Sequence, residues 1–258
     1  MKNVLISFLV LFIGQRSCSQ YLRNISFGER LTYRIHYGIL TAGTCTLSTQ
    51  EKQYAGLRHM YVLGRGSTSG FMRTFFKVED RYETYINLET GLPSYYIRNV
   101  KEGNYTQNLH AKFDKKNEFV YLYDKEKPEE EPKKIKTVKN LQDMLSAFYY
   151  LRSFKTGDIK VGDIYDLNVW IDKEIFPFRI KIVAEETIKT QLGRINCLKI
   201  MPQVKDGRVF KNKESVIIWV SNDANYIPIS VKAELLVGSL KADLSSHTRV
   251  KYPLKFSK

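Results

Sequence analysis

Alternating apolar and polar residues near the N-terminus constrain the fold more than any other feature of this sequence. The alternation runs through 27–50, FGERLTYRIHYGILTAGTCTLSTQ, with Leu31 and Tyr33 on one side and Arg30 and Arg34 on the other. A period of two residues is typical of β-strands that have one buried and one solvated face. The buried face must cover either a packed protein core or a space that takes an apolar guest.

The same period continues along most of the chain. It is clear at 78–86, 105–123, 164–182 and 195–204, with turn signals such as Asp-Lys-Lys-Asn at 114–117 between the segments. Strands of ordinary length would number about ten to thirteen. An antiparallel sheet of that size tends to curl or close. The sequence therefore predicts a mainly β protein built on one strongly curved antiparallel sheet, as a barrel or half-barrel, with a two-layer sandwich as the remaining option.

One segment departs from the β pattern. The stretch NLQDMLSAFYYLRSF at 140–154 has apolar residues at spacings of three and four, including Leu145 and Tyr149. Asn140 is a favourable N-cap residue, and Asp143 adds negative charge in the first turn. We expect an amphipathic helix near 140–154 that packs against the sheet or plugs its open end. A membrane-surface helix is the alternative, but its polar face is not strongly basic.

The first residues match a secretory signal peptide. Lys2 precedes the apolar run Val4–Ile13, and Ser17 and Ser19 are small residues suited to cleavage before Gln20. The sequence thus predicts a signal peptide at 1–19, a single β-rich domain at 20–258, and an exported, periplasmic protein with no transmembrane span. Acylation of Cys18, which would give a lipid-anchored protein, is the alternative, although the preceding residues fit that signal poorly.

Charge and cysteine content leave two questions open. The formal net charge is +14 at pH 7. For an exported protein, this charge suits an anionic lipid or acidic polysaccharide as a partner better than nucleic acid. The alternative is that the charge only aids solubility. Cys45 and Cys197 both lie in apolar strand segments. They either form a disulfide, which an oxidising compartment permits, or are two buried thiols.

Catalytic motifs are poorly represented. The stretch LGRGSTSGF at 63–71 meets neither the dinucleotide fingerprint nor the nucleophile elbow. The four histidines are dispersed without metal-ligand spacing. We therefore expect no enzyme activity, no cofactor and no metal. A polysaccharide-active enzyme is the least favoured alternative. It rests on the carboxylates of Glu79, Asp80 and Glu83, because paired carboxylates can act as acid and base on a sugar.

Aromatic residues supply the candidate ligand-binding residues. A short apolar segment follows a Gly/Ser-rich loop at 64–70, and its spacing fits one helical turn that could gate a cavity. A core-capping turn explains the same spacing more simply. The two tryptophans are cavity walls or core anchors. The candidates are Phe71, Met72, Phe75, Phe76, Trp170 and Trp219.

Four stretches together resemble the domain-of-unknown-function 3108 family. They are FGERLTYRIHYGILTAGTCTLS, FFKVEDRYETYINLETGLPSYYIRNVKEGNY, DMLSAFYYLRSF and IWVSNDANYIPISVKAELLVGSLKADL, and they span about 27–244. The resemblance implies an exported bacterial protein with a strongly curved β-sheet and little helix, and it transfers no catalytic residue. The second half is also similar, more loosely, to periplasmic lipoprotein-carrier folds.

Three functional hypotheses follow. The first is a non-catalytic exported protein of the bacterial cell envelope that binds or carries an apolar ligand, such as a lipid, in a curved-sheet cavity. The second is an envelope interaction or assembly factor that binds another envelope protein through a sheet edge or its basic surface. The third is the polysaccharide-active enzyme.

Overall fold

A computed structural model describes residues 22–204, 216–235 and 238–257. The predicted signal peptide at 1–19, with Cys18, lies outside the described residues.

The described part of the chain contains fifteen β-strands and two short α-helices, the second continued by a 3-10 turn at Leu151–Ser153. The elements are β1 Arg30–Tyr37, β2 Leu40–Tyr54, β3 Leu57–Thr68, α1 Gly70–Phe75, β4 Glu79–Asn87, β5 Pro93–Glu102, β6 Tyr105–Asp114, β7 Phe119–Asp124, β8 Lys133–Lys136, β9 Gln142–Asp143, α2 Met144–Tyr150, β10 Ile164–Ile171, β11 Glu174–Thr190, β12 Gly193–Val204, β13 Val216–Ser221, β14 Pro228–Glu234 and β15 Ser239–Thr248.

All fifteen strands belong to one sheet. Its order is β8-β7-β6-β5-β4-β3-β2-β1-β15-β14-β13-β12-β11-β10-β9, so β1 pairs with β15 and joins two meanders. Neighbours are antiparallel except β9 and β10, which are parallel. The predicted mainly β fold with one continuous sheet is confirmed. The count exceeds about ten to thirteen because β8 and β9 have only four and two residues.

The sheet does not close among the described residues, and its two ends overlap instead. Trp170 on β10 packs against residues from the other end of the sheet, including Tyr96 on β5 and Leu109 on β6. Arg98 on β5 also lies within ion-pair distance of Asp172, with 3.1 Å between Nε and Oδ1. The contact between the ends is therefore made by side chains rather than by a strand ladder.

The predicted helix is present, but its beginning was placed wrongly. The helix starts at Met144 rather than at Asn140, and its N-cap is Asp143, whose carboxylate accepts hydrogen bonds from the backbone N–H groups of Leu145 and Ser146. Asn140 has a φ of +56°, in the left-handed region, and 142–143 pair with β10 as β9. A residue in that conformation cannot begin the helix directly. Asn140 instead lies in a turn, and the helix begins after the two residues of β9.

Helix α2 fills the inside of the curved sheet. Tyr149 is fully buried in a cluster with Met60 and Val62 of β3 and Ile86 of β4. Leu145 also packs into this cluster and into a second one formed by β1, β2, β12, β14 and β15. The predicted packing of the apolar stripe against the sheet is confirmed, and the space enclosed by these strands is occupied by the protein's own side chains.

A buried ion pair holds the end of this helical segment. The guanidinium of Arg152, which is fully buried, donates to both carboxylate oxygens of Glu29 over 2.6 and 2.7 Å. Its Nε donates to the carbonyl of Asn225 over 3.0 Å. Charge-assisted bidentate bonds of this kind are strong and directional. They fix the 3-10 turn between β1 and the β13–β14 connection.

Candidate functional site

A cleft opens beside α2, at the end of the sheet that carries the β4–β5 turn. Its volume is about 360 Å³. Four stretches of the chain and Leu22 form it, and the stretches are the β4–β5 turn at 90–92, the segment before α2 at 139–142, α2 with its 3-10 turn, and β10. We call this feature the cleft, and its lining residues are Leu22, Thr90, Gly91, Leu92, Lys139, Asn140, Gln142, Ser146, Tyr150, Ser153, Asp166, Leu167 and Asn168.

Gln142, one of the residues that line the cleft, has a side-chain oxygen without a hydrogen-bond partner. The side chain is 2% exposed, and its Nε2 donates to the carbonyl of Gly91 over 3.4 Å. Its Oε1 is buried and accepts no hydrogen bond from the described residues. A buried acceptor without a partner costs about 1–3 kcal/mol. A bound molecule that donates a hydrogen bond would remove this cost.

The rest of the lining combines apolar and polar side chains. Leu22, Leu92 and Leu167 supply aliphatic surface, whereas Lys139 and Asn168 supply an ammonium and an amide. Small-molecule sites commonly combine apolar walls with a few polar groups that fix the ligand's orientation. The lining is therefore chemically suited to an amphiphile rather than to a purely apolar chain.

Asp143 lies directly beside the cleft and connects it to α2. Its fully buried carboxylate accepts a hydrogen bond from Thr84 Oγ1 over 2.5 Å, in addition to the two from the α2 backbone. Burial raises the pKa of this carboxyl to about 6, although these hydrogen bonds act in the opposite direction. The group therefore titrates near neutral pH, and its charge state is coupled to the start of the helix.

The predicted aromatic candidates on α1 do not line the cleft. Phe71, Phe75 and Phe76 are 72%, 68% and 50% exposed, and α1 has no buried residue. Met72 is half-buried. The rings of Phe71 and Phe75 contact each other, with 4.5 Å between their centroids. This exposure excludes the core-capping interpretation, because none of the three phenylalanines covers the core.

The two tryptophans lie in packed surroundings. Trp170 is 1% exposed and belongs to the cluster that joins the two ends of the sheet. Trp219 is half-buried, packs beside the cluster of β1, β2, β12, β14 and β15, and donates its indole N–H to the carboxylate of Glu186. Neither residue lines the cleft, so the structure does not bring the six candidates into one site.

Cys45 and Cys197 are both free thiols. Burial raises the pKa of the Cys45 thiol to about 11, and burial together with nearby Asp223 and Glu186 raises that of Cys197 to about 12. Thiolates are the reactive form of cysteine. The half-buried Cys45 and the buried Cys197 therefore behave as small apolar groups.

The carboxylates considered for sugar chemistry are occupied by protein partners. Glu79 pairs with Arg73 and Lys77 over 2.6 and 3.3 Å, and the buried Glu83 accepts the hydroxyl of Tyr61 over 2.5 Å. Asp80 accepts a hydrogen bond from the backbone of Lys101. Within the described ranges, no cluster of three or more His, Cys, Asp or Glu side chains is arranged to hold a metal ion.

Sequence reasoning missed the cleft, because its lining comes from segments far apart in the chain. The helix predicted at 140–154 includes Gln142, whereas this residue lies in a two-residue strand. None of the helices in the described part is long and apolar enough to cross a membrane.

One comparison with a solved structure supports the fold. A β-barrel-like protein of domain of unknown function DUF1849 from Brucella abortus aligns with a TM-score of 0.51 and 9% identity, covering 85% of this chain and 96% of that one. A protein described as a "putative lipoprotein" from Parabacteroides distasonis aligns with a TM-score of 0.35 and 10% identity, covering 90% of this chain and 100% of that one. No curated protein matches the sequence.

The family assignment comes from the sequence. The model of the family described as "Protein of unknown function (DUF3108)" matches residues 32–245, which include every strand from β2 to β14 and most of β1 and β15. The resemblance of the four quoted stretches is thereby confirmed, and the chain belongs to the DUF3108 family.

Proposed function

We propose that this protein is a non-catalytic, exported component of the bacterial cell envelope that binds an amphiphilic ligand, such as a lipid, in the cleft. The observation that carries the proposal is a cleft of about 360 Å³ whose wall includes Gln142, a residue with a buried, unpartnered Oε1. An acceptor in this position favours a ligand with a hydroxyl or amine group, since that group can donate the missing hydrogen bond.

The ligand is placed in the cleft rather than in the centre of the sheet. The central space holds α2, with the fully buried side chains of Tyr149 and Arg152. A guest in that space would have to displace both the aromatic ring and the ion pair to Glu29. The cleft requires neither change, and its leucines offer surface to the apolar part of the ligand.

Export is supported by the sequence of the first nineteen residues, which has the charged start, apolar run and small residues of a secretory signal. The non-catalytic role is supported by the protein partners of Glu79 and Glu83 and by the raised pKa values of the two thiols. These features provide neither a free acid–base pair nor a reactive nucleophile.

An assembly factor that binds through a sheet edge has less support. The edge strand β8 has the sequence Lys-Lys-Ile-Lys, and lysines on an edge strand oppose pairing with another chain. The other end of the sheet is β9, which has two residues, both buried. Neither edge offers a long exposed strand to a partner.

Native mass spectrometry of the protein purified from its host envelope tests the proposal. The substitution Asn168→Phe adds a ring to the cleft wall, and Asn196→Phe makes the same change at an exposed position on β12. We expect the wild-type protein and Asn196→Phe to carry a bound amphiphile that organic solvent extracts, and Asn168→Phe to lack it. Equal ligand content in the two variants, or no bound mass in the wild-type protein, would contradict the proposal.

A further inference from the structure

One rim of the sheet displays apolar side chains from four neighbouring connections. The strand order places the β1–β2, β3–β4, β5–β6 and β14–β15 connections at the same end, because adjacent strands are antiparallel. Each connection, or the strand residue next to it, contributes at least one large exposed apolar side chain. We call these residues the apolar rim, and they are Ile39, Leu40, Phe71, Phe75, Phe76, Tyr105, Leu235 and Leu240.

Contacts between the connections hold the apolar rim together. Leu240 pairs with Tyr37 beside the β1–β2 turn, and Gly238 packs against the Tyr37 ring. Helix α1 packs against β2, and the Phe76 ring contacts Gly103 in the β5–β6 turn. The connections that carry the exposed side chains therefore support one another at one end of the sheet.

The degree of exposure is unusual for such large apolar side chains. Ile39 is 98% exposed at the tip of its turn, and Phe71 and Phe75 are 72% and 68% exposed. Scattered apolar side chains are normal on a protein surface, whereas a contiguous group indicates an interaction site. Because these residues project from the tips of several turns, they can enter a deformable partner to a shallow depth without a matching groove.

We propose that the apolar rim docks on the surface of a membrane that contains anionic lipid. Aromatic and aliphatic side chains partition favourably into the interfacial region of a bilayer. The formal net charge is +14 for the full chain and +12 without Lys2 and Arg16 of the proposed signal peptide, and it draws the protein towards an anionic surface. Within 70–79, Arg73 and Lys77 share the single carboxylate of Glu79, so the phenylalanine segment keeps one net positive charge.

The rim lies at the opposite end of the sheet from the cleft. Strand β4 begins near α1 and ends at Asn87, beside the β4–β5 turn that lines the cleft. Nine residues of strand span about 30 Å. Docking through the apolar rim would thus leave the cleft open on the side facing away from the membrane. The inference does not depend on which ligand, if any, the cleft holds.

Vesicle flotation tests the inference. The purified protein is mixed with vesicles of equal parts phosphatidylcholine and phosphatidylglycerol, and separately with vesicles of phosphatidylcholine alone. The variant Phe71→Ser/Phe75→Ser removes two rim side chains. The matched control, Val161→Ser/Ile164→Ser, removes two apolar side chains that are 51% and 53% exposed at the cleft end of the sheet.

We expect the wild-type protein and the control to float with the anionic vesicles and the rim variant to bind them at least about tenfold more weakly, since each phenylalanine contributes through its apolar area. Ile39→Ser should weaken binding in the same direction. Equal binding of the rim variant and the control, or no binding of the wild-type protein, would overturn the inference. A wild-type dimer in light scattering that the rim variant lacks would also overturn it, because the rim would then bind a second copy.

Discussion

Replacing Glu29 by glutamine tests whether the ion pair with Arg152 fixes α2 and its 3-10 turn inside the sheet. Both side chains are fully buried, and the two carboxylate oxygens accept hydrogen bonds of 2.6 and 2.7 Å from the guanidinium. The substitution keeps the size of the side chain but leaves the Arg152 charge without a counter-ion. Removal of one partner of a buried pair costs about 3–5 kcal/mol.

Urea denaturation followed by circular dichroism measures this change. We expect Glu29→Gln to lower the free energy of unfolding by about 3–5 kcal/mol. The double variant Glu29→Gln/Arg152→Met removes both charges, and should recover part of the loss because no uncompensated charge remains. Recovery in the double variant distinguishes a charge effect from a general packing defect.

The exposed pair between Arg179 and Asp166 provides the matched control. Its Nε and Oδ1 atoms are 3.0 Å apart, and both side chains are nearly half exposed. Arg179→Met should therefore change the free energy of unfolding by less than about 1 kcal/mol. A similar small effect for Glu29→Gln, or a double variant less stable than Glu29→Gln, would refute the reasoning.

Three further predictions concern the cleft and the overlap of the sheet ends. Because burial raises the pKa of Asp143 from 3.8 to about 6, its protonated form is favoured in the folded state, and its contribution to stability is complete below about pH 4 and lost as pH rises through 6. At about 1.36 kcal/mol per pH unit the loss of stability is about 3 kcal/mol. Asp143→Asn should remove this part of the pH dependence when the unfolding free energy is measured in urea at pH 4 and pH 7. An unchanged dependence of the unfolding free energy on pH would contradict this role of Asp143. Gln142→Leu removes both the unpaired acceptor and the hydrogen bond to Gly91, and these changes have opposite effects on the unfolding free energy of the ligand-free protein. The variant should lower the bound amphiphile in native mass spectra about tenfold, the effect of one hydrogen bond; unchanged ligand content would refute this role. Trp170→Ala should lower the unfolding free energy by about 3–5 kcal/mol, because the side chain is 1% exposed between the two ends of the sheet, and a loss below about 1 kcal/mol would contradict that packing.

The period-two pattern predicted the strands because it records the alternation of buried and solvated faces. In β1, for example, Leu31 and Tyr33 are buried and Arg30 and Arg34 are exposed, as the alternation requires. A single sheet also follows from the continuity of the pattern. The overlap of the two sheet ends does not follow from the pattern, because Trp170 contacts Tyr96 and Leu109 only through the global curvature of the sheet.

Helix α2 shows how a local pattern can predict an element and misplace its start. The spacing of Leu145 and Tyr149 correctly predicted an inward stripe. The parallel pairing of Gln142 and Asp143 with Val169 and Trp170 converts the preceding residues into a strand. That pairing joins positions that lie 27 residues apart along the chain, and no local spacing reports it.

The candidate residues on α1 illustrate a different limit. The spacing of Phe71 and Phe75 predicted one helical turn, which the structure has. An apolar stripe, however, has the same sequence pattern whether it faces a core or solvent. Only the position of α1 beyond the ends of β2 and β3 leaves these rings exposed.

The central claim is that an amphiphilic ligand occupies the cleft, and site-specific photo-crosslinking tests it most directly. A photoreactive phenylalanine derivative placed at Asn168 faces the cleft, and the same residue at the exposed Asn196 serves as the control. After irradiation of envelopes from cells that express the full chain, we predict an amphiphile adduct in the intact mass of the protein labelled at 168 and none at 196. No adduct at 168, or equal adducts at both positions, would contradict the account.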